Sequence, residues 1–305
     1  MNAPVNKTIL SYSEWKETAD TLHMYLQMAG KVKVERNDKC PEWAHVRLYL
    51  TPAGLTTGLI PGNPEPFAIC FNLRRSEVLF LCGDRKEIVE LKNGISVADF
   101  YQQFMAALDK LGVPTVIDVK PQEVPHPIDF TKDSIHHSYD EQAVKIWLDN
   151  MLFAYNGLMR FIAPFRGKVT YPSFFFGTFD LSCCAYSGES APYGFKSAIS
   201  QYAFDERLFE CGFWPGDDQF NTPAFYALPY PFLASIGSDE SLLKPAKAYF
   251  KPSKKEFLFT LEDAFSYKDP VKAVCDFCES SFLIAQLLEP WKELKWITKP
   301  LDYPK

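Results

Sequence analysis

Two histidines near the start of the chain are the first candidates for chemistry. His23 lies at the edge of the apolar stripe of a predicted helix, and His45 begins a predicted strand whose polar face also carries Tyr49. A histidine beside a carboxylate can act as a general base or hold a metal, and Asp180 is an acidic residue that could converge on the same cleft. The alternative is structural, because backbone carbonyls could equally satisfy both rings. We expect His23, His45 and Tyr49 to face one cavity, with both interpretations of the histidines open.

The string Gly212–Asp218 is the second candidate, since it displays aromatic rings next to two carboxylates. Its glycines permit backbone angles that other residues avoid, and Pro215 stiffens the turn between them. Trp214 would offer a ligand a rigid apolar face and Asp217 a carboxylate. We therefore expect this loop to lie over the mouth of the histidine cavity. The alternative is a turn whose rings pack back into the core.

The eight cysteines form no recognisable metal or redox motif. Cys275 and Cys278 have the spacing of a zinc pair, but no second pair accompanies them, and they share the apolar stripe of a predicted helix. Cys183 and Cys184 are neighbours in a predicted strand. We interpret all four as packing residues, which is typical of a reduced, cytoplasmic protein.

Other catalytic signatures are missing from the sequence. There is no phosphate-binding glycine loop, nucleophile elbow or zinc-protease helix motif. The adjacent His136 and His137 fall in a predicted loop and are expected to be solvated. The sequence therefore predicts no metal site, identifies no cofactor and specifies no reaction.

The composition narrows the classes of partner. The formal net charge is −6 and no basic run is present, which speaks against a nucleic-acid or an anionic membrane partner. The first residues contain no apolar leader, and no apolar run is long enough to span a bilayer. The 26 Phe, 15 Tyr and 6 Trp could line a ligand cavity, or they could simply fill a Phe-rich core.

An internal duplication is the main prediction about architecture. Gly30-Lys31-Val32 is echoed by Gly167-Lys168-Val169, and Ser76–Leu81 is echoed by Lys255–Thr260. The order of these matches predicts an α+β fold of two pseudo-repeated units, each an antiparallel sheet flanked by helices. The predicted boundaries are a first unit at 1–119, a Pro-rich linker at 120–138, a second unit at 139–290 with an insertion within 185–250, and a tail at 291–305.

Periodicity and capping residues place the predicted elements. The predicted helices are one from Ser11 to Gly30, one from Ser96 to Gly112, one capped by Ser138 and ending near Ile162, and one from Asp269 to Pro290. The predicted strands lie at 45–51, 67–73, 77–82, 115–119, 172–184, 199–209, 223–230, 246–251 and 256–261.

The chain also resembles a family of mostly bacterial proteins without a known activity, over about residues 13–290. The resemblance implies histidines at the position of Ser173 and near Glu206, where this chain departs from the pattern. It implies no activity or cofactor. The stretches that carry it are Trp15–His23, Leu26–Lys31, Trp43–Thr57, Ser96–Met105, Phe175–Leu181 and Gly212–Gly216.

Two classes of function remain open. The first is a small-molecule-binding protein or enzyme with an aromatic-lined pocket at the seam between the repeats, where pockets are common. The second is an interaction or scaffold protein that docks a protein partner through exposed aromatic loops. A closed cavity lined by His23 and His45 would favour the first class, and a flat aromatic patch the second.

Overall fold

The computed structural model describes residues 8–191, 197–233, 235–237 and 240–303. Contacts between Cα atoms divide the chain into two compact units. The first unit comprises Leu10–Asp149 and Phe174–Asp180, and the second comprises Asn150–Ser173 and the chain from Leu181 onwards. There are two antiparallel sheets, accompanied by helices, so the predicted α+β class is confirmed.

The helices and strands follow one another in the order expected for two sheets with flanking helices. The helices are α1 (Tyr12–Arg36), α2 (Val97–Leu111), α3 (Glu141–Ile162), α4 (Ala198–Ala203), α5 (Leu261–Ser266), α6 (Pro270–Leu288) and α7 (Leu294–Ile297). The strands are β1 (Tyr49–Thr51), β2 (Gly54–Thr56), β3 (Phe67–Asn72), β4 (Glu77–Cys82), β5 (Arg85–Glu90), β6 (Val169–Phe175), β7 (Asp180–Ser190), β8 (Glu206–Trp214), β9 (Ala224–Tyr230), β10 (Tyr249–Lys251) and β11 (Glu256–Thr260).

The first sheet is an antiparallel meander in which β1 to β5 pair in chain order. Side chains alternate across β3 and β4, so that Ile69 and Phe80, which are directly paired, are both fully buried. Helix α2 covers this face, and the ring of Phe104 lies 5.0 Å from that of Phe80. The predicted helix from Ser96 to Gly112 is confirmed, because Ser96 Oγ accepts from the N–H of Asp99 and Gly112 is left-handed.

The second sheet has the order β10-β11-β9-β8-β7-β6, again antiparallel wherever the pairing is described. Paired residues Phe213 and Phe225 are buried on one face. Phe259 of β11 lies on the same face, and its ring is 5.7 Å from that of Phe277 in α6. The predicted helix after Asp269 is confirmed, since the Asp269 carboxylate accepts from the N–H of Lys272.

Helix α1 is longer than predicted. Gly30 does not end it, because the helix continues to Arg36. A Cβ added at Gly30 would lie 2.0 Å from the ring of Phe176, so glycine is present to admit that ring and not to stop the helix. The predicted capping box at its start is confirmed, with the Ser11 N–H donating to Glu14 Oε2 at 2.7 Å.

Four predicted strands differ from the structure. The strand predicted at 172–184 is two strands, β6 ending at Phe175 and β7 beginning at Asp180, with a turn between them. Residues 41–46 form a tight turn instead of leading into a long strand, and only Tyr49–Thr51 pairs as β1. The strand predicted at 115–119 is absent: residues 115–118 alternate between buried and exposed, but none of the described strands pairs with them. The predicted strand at 199–209 is replaced by α4 followed by β8, which begins at Glu206.

The cap of α3 and the linker also differ in detail. Asp140 Oδ1, not Ser138, accepts the N–H groups of Gln142 and Ala143 at the start of α3. Residues 120–138 contain neither helix nor strand, and the N–H of Gln122 donates to Gln27 Oε1 of α1 at 2.8 Å. The predicted unit boundaries stay predictions.

The two sequence matches behind the predicted duplication have different structural outcomes. Gly30 lies inside α1, whereas Gly167 has a φ of +83° in the turn after α3. Ser76 and Lys255, by contrast, have similar left-handed φ angles of 53° and 59°, immediately before β4 and β11. The second match thus reflects a shared turn-to-strand geometry, and the duplication as a whole stays a prediction.

Candidate functional site

A buried lysine is the most unusual titratable group in the first unit. Lys33 lies in the last turn of α1 and is 2% exposed. Its Nζ donates to the backbone carbonyls of Arg47 and of Thr57, the latter at 2.8 Å. No carboxylate among the described residues forms an ion pair with it, and burial lowers the pKa of Lys33 to about 8. Because Lys33 lies in the last turn of α1, the negative end of the helix dipole partly offsets the cost of burying its charge.

The neighbouring Lys31 is also buried, but it has the carboxylate partner that buried lysines usually have. It is 3% exposed, but its Nζ lies 3.3 Å from the carboxylate of Asp118. Burial still lowers the pKa of Lys31, while Asp118 acts in the opposite direction. Two lysines on one helix are therefore equally buried, and only Lys31 has an acidic partner.

Tyr49 covers the amine of Lys33. The amine lies 4.8 Å from the centroid of the tyrosine ring, a distance at which cation–π attraction is significant. Tyr49 is itself 45% exposed. The partly exposed Tyr49 side chain thus contacts the amine of Lys33, which is otherwise surrounded by protein.

The turn at Pro41–Val46 brings His45 and Trp43 to this site. Glu42 and Trp43 are consecutive left-handed residues, with φ angles of 48° and 56°. Such angles in residues other than glycine cost about 1–3 kcal/mol each and tend to occur at functional sites. The result is a stack of Trp43 on His45, with ring centroids 5.6 Å apart.

His45 is neutral and has a defined tautomer. Its Nδ1 accepts the N–H of Cys40 at 3.1 Å, so the ring proton is on Nε2 in the neutral form. Burial lowers the pKa of His45, and the charge of Lys33 acts in the same direction. The ring is therefore close enough to Lys33 to respond to its protonation.

Arg47 contacts Lys33 through its backbone carbonyl, and its side chain extends to another ring. Its guanidinium lies 5.5 Å from the ring centroid of Phe175, and the residue is 8% exposed. Glu42 in the turn is also buried and adds one negative charge. We define the Lys33 site as Lys33, Trp43, His45, Arg47 and Tyr49, a set in which cations and aromatic rings predominate.

The structure places two of the predicted site residues at this site. His45 and Tyr49 were expected to share one face of a strand, but His45 belongs to the turn and Tyr49 to β1. What they share is proximity to Lys33, a residue that the sequence did not single out. The position of Lys33 between Val32 and Val34 near the end of a helix was the signal that could have identified it.

His23 lies elsewhere on α1 and has a structural environment. Its Nε2 donates to the carbonyl of Phe176 at 2.7 Å, and its ring lies 4.8 Å from that of Phe179. Burial lowers the pKa of His23 to about 4, so the ring is neutral at physiological pH. This environment matches the alternative in which a backbone carbonyl satisfies the ring. A cavity shared by His23 and His45 stays a prediction.

Asp180 lies in the same unit as His23 but is not its hydrogen-bond partner. The Asp180 carboxylate accepts a hydrogen bond from the Thr178 hydroxyl. The charge of Asp180 acts on Glu123. Burial is the main cause that raises the pKa of Glu123, and the negative charge of Asp180 is the second cause. Asp180 therefore contributes to an acidic pair, not to a histidine–carboxylate dyad.

Trp214 and Asp217 lie in the second unit, at the end of β8 and in the following turn. The ring of Trp214 lies 5.4 Å from that of Phe220 and 5.8 Å from that of Tyr226. Lys254 Nζ lies 5.4 Å from the Trp214 ring and 3.4 Å from Asp217 Oδ2. The turn is thus closely packed within its own unit, and its predicted position over the histidine cavity stays a prediction.

Sequence reasoning missed a hydrogen-bonded pair formed by Asp133 and His136. His136 was expected to be solvated, but its Nδ1 lies 2.7 Å from Oδ2 of Asp133, which is 1% exposed. The hydrogen bond to Asp133 raises the pKa of His136. Burial opposes ionisation of Asp133, but hydrogen bonds from His136 outweigh it and lower the pKa of the carboxyl. The Asp-x-x-His spacing was the available signal.

The described residues contain neither a candidate metal site nor a candidate membrane-spanning helix. No group of three or more His, Cys, Asp or Glu side chains there could hold a metal ion. None of the helices in the described part of the chain combines the length and apolar character needed to cross a bilayer.

Comparison with known proteins agrees with the resemblance seen in the sequence. The model of a family described as "Family of unknown function (DUF5996)" matches residues 8–296. The chain belongs to the DUF5996 family. No curated protein and no solved structure matched the chain. Membership in DUF5996 confirms the predicted relationship to a family without a known activity, and a function must be argued from the site.

Proposed function

We propose that this member of the DUF5996 family binds a small molecule at the Lys33 site. The observation that carries the proposal is the buried amine of Lys33, which contacts the exposed ring of Tyr49 and has no carboxylate partner in the part of the chain that the structure describes. Burying a cation without an opposite charge is costly. Methionine or leucine would fill the same volume without that cost, so the amine is better explained by a ligand than by packing.

The composition of the site supports a particular ligand class. The amine of Lys33 and the Nε2–H of His45 favour a negatively polarised oxygen, such as that of a carboxylate or a carbonyl group. Trp43 and Tyr49 offer apolar faces beside these donors. We therefore propose a small carboxylate or carbonyl compound, bound within the first unit.

A purely structural role for Lys33 is the competing explanation. Its two hydrogen bonds join the end of α1 to Arg47 and to Thr57, and such bonds to a charged donor contribute about 1.5–3 kcal/mol each. Both roles predict that the lysine matters for stability. Only a binding role predicts that a ligand raises stability and that this rise requires Lys33.

Thermal denaturation with a defined set of probes tests the proposal. We expect acetate, pyruvate, glyoxylate or inorganic phosphate to raise the melting temperature of the wild type, because a ligand at 100 times its Kd stabilises by about 2.7 kcal/mol. Lys33→Met should abolish the rise, and Lys31→Met, at an equally buried position with an acidic partner, should keep it. A rise that survives Lys33→Met, or no rise with any probe, rejects the Lys33 site.

We also propose a cytoplasmic location and an internal duplication. None of the eight cysteines, all of which lie in the described part of the chain, forms a disulfide, which is typical of a reducing compartment. The shared left-handed turn before β4 and β11 supports a common origin of the two sheets. Docking of a protein partner by the Trp214 loop is less well supported, because that ring already contacts Phe220, Tyr226 and Lys254.

A further inference from the structure

We propose that Lys33 forms an imine with an aldehyde or ketone group of its ligand, an inference that rests on the proposed function of the Lys33 site. The first supporting observation is the hydrogen bonding of the amine. Its two described acceptors are the carbonyls of Arg47 and Thr57, and its remaining described contact is the Tyr49 ring. A neutral amine has two N–H groups and one lone pair. It can therefore keep both carbonyl hydrogen bonds and still direct the lone pair elsewhere.

The absence of an acidic partner is the second observation. A carboxylate beside a lysine favours the ammonium form, which has no lone pair and is not a nucleophile. Lys31 has such a partner in Asp118, whereas Lys33 has none among the described residues. Desolvation without a counter-charge is one of the ways in which proteins activate a nucleophilic lysine.

The Tyr49 ring is the third observation, since it contacts Nζ at 4.8 Å and is itself 45% exposed to solvent. A neutral amine no longer has a cation–π attraction for the ring. Loss of the charge therefore weakens the contact that holds Tyr49 over the amine. Rotation of the Tyr49 side chain away from the amine would allow the carbonyl carbon of a ligand to reach the lone pair.

The reaction needs no oxidant, reductant or bound cofactor. The nitrogen lone pair attacks the carbonyl carbon, an N–C bond forms, and the carbonyl oxygen leaves as water with two protons from nitrogen. In total, the ammonium group and the carbonyl compound give a protonated imine and one water. His45, whose pKa responds to the charge of Lys33, is the nearby group through which protons could pass.

The expected advantage of Lys33 over surface lysines is large. With a pKa of about 8, Lys33 is in the neutral form at pH 7 about 200 times more often than a lysine with the ordinary value of ~10.4. At short reaction times, labelling should therefore be concentrated at one position despite the many other lysines of the chain.

Reductive trapping tests the inference. The full chain is incubated at pH 7 with glyoxylate or pyruvate and sodium cyanoborohydride, then digested and mapped by mass spectrometry. We expect Lys33 to gain the mass of the probe less one oxygen atom at least 10 times faster than any other lysine. Labelling of Lys33 at the same rate as surface lysines overturns the inference.

Variants separate a reactive amine from a merely bound ligand. Lys33→Arg keeps the charge and should remove the trapped adduct, Lys31→Arg should leave labelling at Lys33 unchanged, and Tyr49→Ala should accelerate it. If Lys33→Arg does not fold, the site mapped in the wild type still decides the question. Stabilisation by pyruvate or glyoxylate without trapping at Lys33 overturns the imine and leaves the binding proposal intact. If no probe stabilises the protein, the binding proposal itself fails.

Discussion

At the scale of single residues, the protonation of Lys33 and that of His136 are both tied to folding. They are tied in opposite ways. Lys33 loses hydration without gaining an acidic partner, whereas His136 gains the buried carboxylate of Asp133. Each therefore makes the free energy of unfolding depend on pH with its own sign.

The burial of Lys33 should reduce stability most below pH 8. Its folded pKa of about 8 lies below the ~10.4 of an unfolded lysine, so the unfolded state binds more protons between these values. Stability therefore rises across this window. We expect the free energy of unfolding of the wild type, relative to Lys33→Met, to increase by about 3 kcal/mol between pH 7.5 and 10.5 in urea titrations. Lys86→Met, at an exposed position of β5, is the matched control, and a flat difference for Lys33→Met contradicts the buried cation.

The pair of Asp133 and His136 should stabilise the fold most in mildly acidic solution. The pKa of His136 is raised, so its contribution is complete below about pH 6.5 and is lost as pH rises through the folded value. The pKa of Asp133 is lowered, so its contribution is present above about pH 4 and is lost as pH falls through the folded value. We expect His136→Gln to cost about 1–3 kcal/mol at pH 5.5 and clearly less at pH 8.5. An equal cost at both pH values would show that the histidine acts only through packing.

At the scale of the elements, α1 is the structural centre of the first unit. It carries Lys33 near its end, His23 near its middle and, at Gly30, the contact with Phe176 that the strand after α3 brings in. A glycine inside a helix lowers helix propensity by about 1 kcal/mol relative to alanine. Its presence is explained by the close approach of the Phe176 ring.

Gly30→Ala should therefore destabilise the protein even though alanine is the better helix former. The added Cβ would lie 2.0 Å from the ring of Phe176, and overpacking of this kind costs about 1–3 kcal/mol. Combining Gly30→Ala with Phe176→Leu should cost less than the sum of the two single changes, which a double-mutant cycle of urea titrations measures. Strict additivity would mean that the ring moves away freely.

Strand β8 ends with two neighbouring aromatic residues that point to opposite faces. Phe213 is 1% exposed, whereas Trp214 is only partly buried. We expect Phe213→Ala to cost about 3–5 kcal/mol, as large-to-small core changes do, and Trp214→Ala to cost less than half as much. Thermal denaturation of both variants checks this order. A larger loss for Trp214→Ala would assign that ring to the core and remove it from consideration as a ligand-binding group.

At the scale of the whole molecule, the cysteines report on how completely the cores exclude water. Six of the eight are buried, and burial raises the pKa of Cys211 well above its ordinary range and that of Cys275 to about 12. Cys40 is exposed and Cys70 is intermediate. Thiols react as thiolates, so the two groups should differ strongly in rate.

We expect no more than two thiols to react rapidly with Ellman's reagent in the native protein, and all eight after denaturation in guanidinium chloride. Cys40→Ser should remove the fastest phase. Rapid reaction of five or more native thiols would contradict the two closed cores. The same titration under increasing denaturant shows whether the thiols of the first and second units become exposed together.

Features that depend on local physics were predictable from the residues alone. Alternating apolar residues predicted β3 and β4, Ser96 and Gly112 predicted both ends of α2, and Asp269 with Pro270 predicted the start of α6. Alternation, caps and helix stops act within a few residues of one another. The family was also identified from the sequence, because its motifs can be recognised in chain order without any knowledge of contacts.

Which distant residues come into contact was not predictable in this way, because it depends on how separate segments pack. Gly30 was wrongly predicted to end a helix. The ring that requires a glycine there belongs to Phe176, which is 146 positions away in the chain, so no local pattern could indicate it. Residues 113–117 alternate as a strand would, but pairing requires a partner that no local pattern reports. The Lys33 site likewise joins the end of α1 to a strained turn and to β1. Burial without a counter-charge is what makes Lys33 chemically unusual, and burial arises only when those separate segments pack together.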